Sequence, residues 1–329
     1  MVRNCLIMNR IKLIFFSVAL IVAATASAQT KEISHDFSRF NSLSVSDGFQ
    51  ISLVKSNSYA ATIYVDGPLA EFVEAYVRGK VLHINFNEKA VPKETKKLYK
   101  GKNALTSSFR ATVYLPDLES IELTDGASLA ATDEFDASRF TVNLTDKASI
   151  KSLNVRCNTA EIDLKKNSNA SLRIQADNKI SAVTEGNALL KVAGTAADFS
   201  ADSAGSSSLT GEVRATASVT LSSTGSSNMK ISTDTDRVFI VTSRSSKLAI
   251  TGSATNATIK GSNVSSIDAN NFPVVEADVV LSGSSRANVN ASELLGVSLT
   301  DGSSLYFSGS PQFRITKIIR STLAPYGTK

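Results

Sequence analysis

The chain has 329 residues, 42% hydrophobic and 7% aromatic, with no tryptophan, two histidines, two cysteines and a formal net charge of +5. Two cysteines exclude a disulfide-dense scaffold, and two histidines leave too little material for histidine-based catalysis or a zinc centre. Nucleic acid is not an implied partner, because Arg3, Arg10 and Lys12 lie in the leader described next and are expected to leave with it.

That leader reads as a secretory one. Arg3, Arg10 and Lys12 precede an apolar run from Leu13 to Ala24, and Ala26-Ser27-Ala28 forms a small-residue cleavage site. Residues 1–28 are therefore predicted to be a signal peptide, with the mature chain starting at Gln29 and carrying a net charge of +2. The apolar run is shorter than the roughly 20 residues a spanning helix needs, so no transmembrane segment is expected in the mature chain. Met8 also precedes a complete leader, so a start at Met1 or at Met8 gives the same mature product. No cysteine stands at the cleavage point, which argues against a lipid anchor there, and Cys157, alone after cleavage, reads as a small buried hydrophobe. The expected location is the periplasm, the outer-membrane surface or the extracellular space.

Residues 29–110 carry longer alternating runs that read as strands: Phe49–Val54, Ala61–Val65 and Val81–Phe86. Val73–Val77 fits both a helical face and a strand, and is taken as a strand because Arg78-Gly79-Lys80 supplies a turn behind it. Pro92 to Ser108, with Lys93, Lys96, Lys97, Lys100 and Lys102, is expected to be an exposed loop.

From residue 111 to 310 a short phrase recurs: alternating apolar residues, a turn of small polar residues, then another alternating pair. Examples are Ile121–Leu129 (IELTDGASL), Val142–Ile150 (VNLTDKASI), Val219–Met229 (VTLSSTGSSNM) and Val297–Leu305 (VSLTDGSSL). The apolar residue after each turn serves as a ruler: Leu129, Ile150, Leu172, Leu189, Leu209, Met229, Leu248, Ile267, Val289 and Leu305, a mean step of about 19.6 residues. A period-two pattern repeating at that length is too short for paired helices or a propeller blade, and it predicts an all-β fold, a right-handed parallel β-helix (β-solenoid) with coils of about 20 residues. Gly126, Gly186, Gly205, Gly225 and Gly302 fall where the corners need positive φ, whereas Lys147 and Ser243–Lys247 lack that glycine. The Ser, Thr and Asn of the turns are expected to stack as architectural ladders. Residues 311–329, with the amphipathic Phe313–Ile318, are expected to be a cap.

The chain also carries the opening Phe40–Val45 (FNSLSV), the strand Phe49–Leu53 (FQISL), the junction Val113–Ile121 (VYLPDLESI) and the Asp-Gly-x-Ser coils. Together with the leader, these features resemble the putative auto-transporter adhesin family that carries the head GIN domain. The resemblance spans roughly residues 37 to 310 and implies a Bacteroidetes-type exported β-helix with an adhesin-like role and no established catalytic residues to carry across.

For chemistry, Asp125, Asp146 and Glu185 occupy related turn positions, and stacking would make them a carboxylate column for calcium or for an active site; solvated corners that favour Asp are the simpler reading. Asp234 and Asp236 read as a polar corner, and no Gly-x-Ser-x-Gly elbow is present. Tyr59, Tyr64, Tyr76, Tyr99, Tyr114 and Tyr306 are the candidate sugar-stacking aromatics. Asp202-Ser203-Ala204 matches a short acceptor motif for O-glycosylation, which would require an exposed corner. The expectation is thus an exported, non-enzymatic adhesin-like or structural binding protein contacting glycan or a cell-surface protein through a solenoid face. No catalytic, cofactor or metal residue is assigned, no cofactor is expected, and exposed edges leave a homo-oligomer open. The alternative is a polysaccharide-processing β-helix enzyme, a lyase or hydrolase.

Overall fold

The computed structural model describes residues 30–100 and 107–327, so the predicted leader and cleavage site lie outside the described residues. The first part supplies β1 (Thr30–Asp36), β2 (Ser42–Val45), β3 (Gln50–Lys55), β4 (Ala60–Asp66), β5 (Val73–Arg78), β6 (Val81–Phe86), β7 (Phe109–Leu115) and β8 (Ser120–Leu123). Nine long strands follow, each nearly a whole coil: β9 (Ser128–Leu144), β10 (Ser149–Leu164), β11 (Asn169–Thr184), β12 (Leu189–Ser203), β13 (Ser208–Ser223), β14 (Asn228–Thr242), β15 (Lys247–Gly261), β16 (Ser266–Leu281) and β17 (Arg286–Leu299). The series ends with β18 (Ser304–Ser308), β19 (Gln312–Ile318) and β20 (Thr322–Pro325). Each long strand pairs in parallel with the next, giving a right-handed β-solenoid of about ten turns with coils of about 20 residues.

Each long strand bends midway, so its two halves serve two faces. The first half of β9 pairs with β3 while its second half pairs with β8. The front face therefore runs β1–β4–β7–β3 and then through the first halves of β9 to β17 to β18 and β20, with β4 antiparallel to both of its neighbours. The back face runs β5–β6–β2–β8 and through the second halves to β19. Along β14 the inward residues are Met229, Ile231 and Thr233 on the front half and Val238, Ile240 and Thr242 on the back half, and the alternation breaks at the bend between them. Inward side chains from both faces make one continuous core, each large apolar residue contributing roughly 1.5–3 kcal/mol when fully buried.

The pairing register corrects the sequence ruler at three coils. The residues stacked in one column are Leu129, Ile150, Ala170, Leu190, Leu209, Met229, Leu248, Ile267, Ala287 and Leu305. Leu172 and Val289 are the next inward residues along their strands, and Leu189 points outward, 54% exposed. Choosing the largest apolar residue skipped the two alanines and mistook the parity of Leu189-Leu190.

The corners between coils share a left-handed second residue whether or not glycine is present. Positive φ falls there in Gly186, Gly205 and Gly225, and equally in Asp146, Lys166, Arg244 and Asn263; Lys147 follows Asp146 at φ 69°. Corner N–H groups bond to the coil below, as in Ser206 to the Gly186 carbonyl and Ser245 to the Gly225 carbonyl, and this pairing holds ordinary residues in the left-handed region. The fourth corner position is a buried small residue: Ala127, Ala148, Ser168, Ala188, Ser207, Ser227, Ser246, Ser265, Ser285 and Ser303. At Ser168, Ser207, Ser227, Ser246 and Ser285 the hydroxyl folds back on its own corner, as where Ser227 Oγ donates to the Thr224 carbonyl at 2.8 Å and stands 2.9 Å from Ser223 Oγ, whereas Ser265 and Ser303 donate to carbonyls of the coil below. The ladder expected from composition is therefore real, and it satisfies buried polar groups.

The two ends differ. At the N-terminal end Val65, Leu69, Ala70 and Val91 form a second cluster that closes the stack, with Tyr99 and Phe109 against it. The segment expected to be an exposed loop opens with a short helix, α1 (Lys93–Leu98), none of whose residues is buried, and Tyr99 behind it packs against that cluster. Val73–Arg78 is a strand, as expected, and hairpins with β6 through Gly79 and Lys80, both at positive φ. At the other end β19 is a strand but does not close the core. It adds another rung on β17 and leaves Phe313, Ile315 and Ile318 39–54% exposed.

Candidate functional site

The carboxylate column expected from the turns does not form. Asp125 and Asp146 follow one another at the second corner position, but the next residues in that column are Lys166 and Gly186, and Glu185 stands one position earlier, behind Lys165. Lys166 Nζ reaches Asp146 at 2.5 Å, and its hydrogen bond holds that carboxyl below the usual carboxylate range. Asp125 carries positive φ at 49° and takes a hydrogen bond from the Thr124 hydroxyl at 2.9 Å, which suits a turn. Among the described residues, no three or more His, Cys, Asp or Glu side chains are grouped to hold a metal ion. Asp234 lies at the midway bend and accepts from the Ser253 hydroxyl at 2.9 Å.

The acceptor-like Asp202-Ser203-Ala204 is also reassigned. Ser203 is an inward residue, 2% exposed, bonded to Thr184 Oγ1 at 3.0 Å and to Ser207 Oγ at 2.9 Å. In the folded chain that hydroxyl belongs to the corner ladder and faces no solvent. Cys157 is buried as expected, and burial together with the nearby Asp177 pushes its thiol up to about 11.

The aromatic candidates scatter. Tyr59 packs on the core beside Phe40, Tyr99 on the N-terminal cluster, and Tyr76 stacks on His83 with ring centres 5.0 Å apart. Tyr306 lies under the Arg286 guanidinium at 4.4 Å. Tyr64 points out from β4 next to Arg110 on the front face. Phe239, which sequence reasoning passed over, is 42% exposed on the back face with Lys260 Nζ 5.5 Å from its ring centre. Its alternation with Val238 and Ile240 would have marked it as outward.

Several surface depressions are present. A broad one of about 510 Å³ at the midway bend carries charges of both signs: Arg156 pairs with Glu134 and Asp136, and Lys55 with Asp136 at 2.7 Å, while Arg39, Asp117, Glu119 and Asp177 line it without an ion pair among the described residues. The front face is different. Two adjoining depressions of about 290 and 260 Å³ run along it, the first lined by Tyr64, Arg110, Ser128 and Lys151, the second by Ser152, Ser171, Arg173, Lys191 and Thr210, with Glu212 at its far side. They meet where β10 carries a bulge between Ile150 and Leu153, which turns both Lys151 and Ser152 outward. Small outward residues, Ala130 and Ala193, leave the floor low. Arg110, Lys151, Arg173 and Lys191 are exposed, and none takes part in an ion pair among the described residues. The result is a shallow, hydroxyl-rich, basic groove built on paired strands.

A family model described as putative auto-transporter adhesin, head GIN domain, matches residues 39–233 and 212–311. Solved structures that align with the chain include a putative adhesin from Parabacteroides merdae ATCC 43184 (14% identity, TM-score 0.34) and a putative lipid binding protein from Parabacteroides distasonis ATCC 8503 (10%, 0.32). A putative adhesin from Parabacteroides distasonis ATCC 8503 aligns at 14% identity and a TM-score of 0.38. Each alignment covers 91% of this chain and 97–98% of the other. No curated protein matches.

Proposed function

The chain belongs to the putative auto-transporter adhesin family with the head GIN domain, and on that premise we propose that it is an exported, non-enzymatic binding protein of the cell envelope that contacts glycan or protein through its front face. The observation that carries this reading is the groove itself: unpaired cations and hydroxyls laid across successive coils, with many weak contacts in place of one deep pocket. No helix among the described residues is long and apolar enough to cross a membrane. Export rests on the leader predicted for residues 1–28, and the open C-terminal rung offers an edge on which copies can associate.

The test is to incubate the purified protein with a panel of host and bacterial polysaccharides, with and without calcium, and to record both retention and newly released chain ends. Retention without new ends is expected. New ends, at a rate lost on Asp125→Asn or Asp146→Asn, would overturn the reading in favour of a polysaccharide-processing enzyme.

A further inference from the structure

One column of the front face alternates in a way that the amino-acid sequence hides. Pairing places Ser171 beside Lys191, Lys191 beside Thr210, and Thr210 beside Lys230, while the β10 bulge sets Lys151 with Ser152 next to Ser171. Read up the solenoid, the outward residues are lysine, serine, lysine, threonine, lysine. At ~4.8 Å per rung, the ammonium-bearing positions repeat at roughly 9.6 Å, with a hydroxyl midway between each pair. All three lysines are exposed and none is in an ion pair among the described residues. Arg173 flanks the column on the same face, and Glu212, beyond Ala193, is the one carboxylate lining this part of the groove.

We propose that this column binds an extended acidic polysaccharide whose carboxylate or sulfate groups fall on every second sugar, with the polymer axis lying along the solenoid axis. A two-rung step is close to the length of one disaccharide unit in an extended chain, so each lysine meets one anionic group and each intervening Ser171 or Thr210 hydroxyl meets the neutral sugar between. The rungs are fixed by backbone pairing, so the spacing is set before the ligand arrives. Nucleic acid fits poorly: its backbone charges recur at roughly 3.4 Å per strand in a duplex, about three for each lysine. The column ends above Lys230, where the next residues are Ala249 and Asp268. That limits the continuous contact to about two disaccharides. The proposal rests on the front face being the binding face and adds to it the class and charge spacing of the ligand.

The test uses the purified protein in affinity electrophoresis against four probes: hyaluronan, with one carboxylate per disaccharide; polygalacturonate, with one on every sugar; neutral dextran; and double-stranded DNA. Hyaluronan should retard the protein most, and Lys151→Gln, Lys191→Gln and Lys230→Gln should each weaken it by about two- to fivefold, the triple variant by roughly 10- to 100-fold. Lys179→Gln, on the back face, should leave retention within about twofold. A charge-preserving shift, Lys191→Thr with Thr210→Lys, should weaken hyaluronan as much as losing Lys191 outright. Equal retention of DNA or polygalacturonate, or a shifted variant that binds like the parent, would overturn the spacing argument while leaving a binding front face intact. Dextran bound as tightly as hyaluronan would overturn the acidic ligand. Retention of none of the four probes would overturn this inference, and the broader reading would then stand or fall on the wider polysaccharide panel.

Discussion

Replacing Gly194 with alanine should do more damage than any other single methyl group added to the stack at a bend. Gly194 lies where β12 turns between faces, at φ +146°, directly over Ile174. A Cβ there would stand 1.7 Å from the Ile174 carbonyl oxygen and 2.7 Å from its carbonyl carbon. Both are backbone atoms of the coil below, so neither can swing aside, and relief requires the two coils to separate locally. The unfavourable backbone conformation costs about 1–3 kcal/mol and the overpacking a similar amount, for a total of about 2–6 kcal/mol. Gly302 supplies the control: its φ is +87° but nothing lies within 4 Å of its would-be Cβ, so Gly302→Ala carries the left-handed strain alone, about 1–2 kcal/mol. Because each coil touches only its neighbours, the loss should also be local. Hydrogen exchange read by mass spectrometry should show faster exchange in peptides from β11 and β12 of Gly194→Ala, with β16 and β17 near their parental protection, and urea denaturation should rank Gly194→Ala below Gly302→Ala. If the two variants lose the same stability, close approach of the coils is not what demands glycine at 194.

The corner ladder predicts that Ser227→Ala, which removes the hydroxyl bonded to the Thr224 carbonyl, costs about 0.5–1.5 kcal/mol in urea denaturation, with no change in secondary structure by circular dichroism. Cys157, buried and with its thiol pushed up to about 11, should resist a disulfide reagent at pH 8 in the native protein and react once per mature chain in guanidinium; rapid native labelling would contradict its placement. The hydrogen bond from Lys55 holds the Asp136 carboxyl below the usual carboxylate range. A carboxylate lowered in this way contributes stability that is present above its unfolded pKa and lost as the pH falls through the lowered folded value. Both side chains are well exposed, so the contribution should stay under about 1 kcal/mol. Lys55→Met should return the Asp136 titration, followed by NMR, towards the ordinary range, and an unchanged midpoint would show that the pair does not form in solution.

Much of this molecule is written in its residues one after another. Period-two alternation and a turn recurring once per coil determine a parallel solenoid, since no other backbone path lets such short apolar phrases bury one another. The corner glycines, the buried Cys157 and the outward direction of Phe239 follow from the same local rules. What local pattern leaves open is which residue stands over which. Leu189 and Leu190 are equally apolar, and only the pairing of β12 with β11 and β13 puts one in the core and the other in solvent, because a shift of one residue reverses every side chain. Glu185 misses the Asp125–Asp146 column by one position, and Ser203 passes from a supposed exposed acceptor to a buried ladder member, for the same reason. The basic groove depended on tertiary structure most of all. Lys151, Lys191 and Lys230 stand two full coils apart along the chain, and they become a ruler marked every second rung through the register of five stacked strands and one bulge in β10.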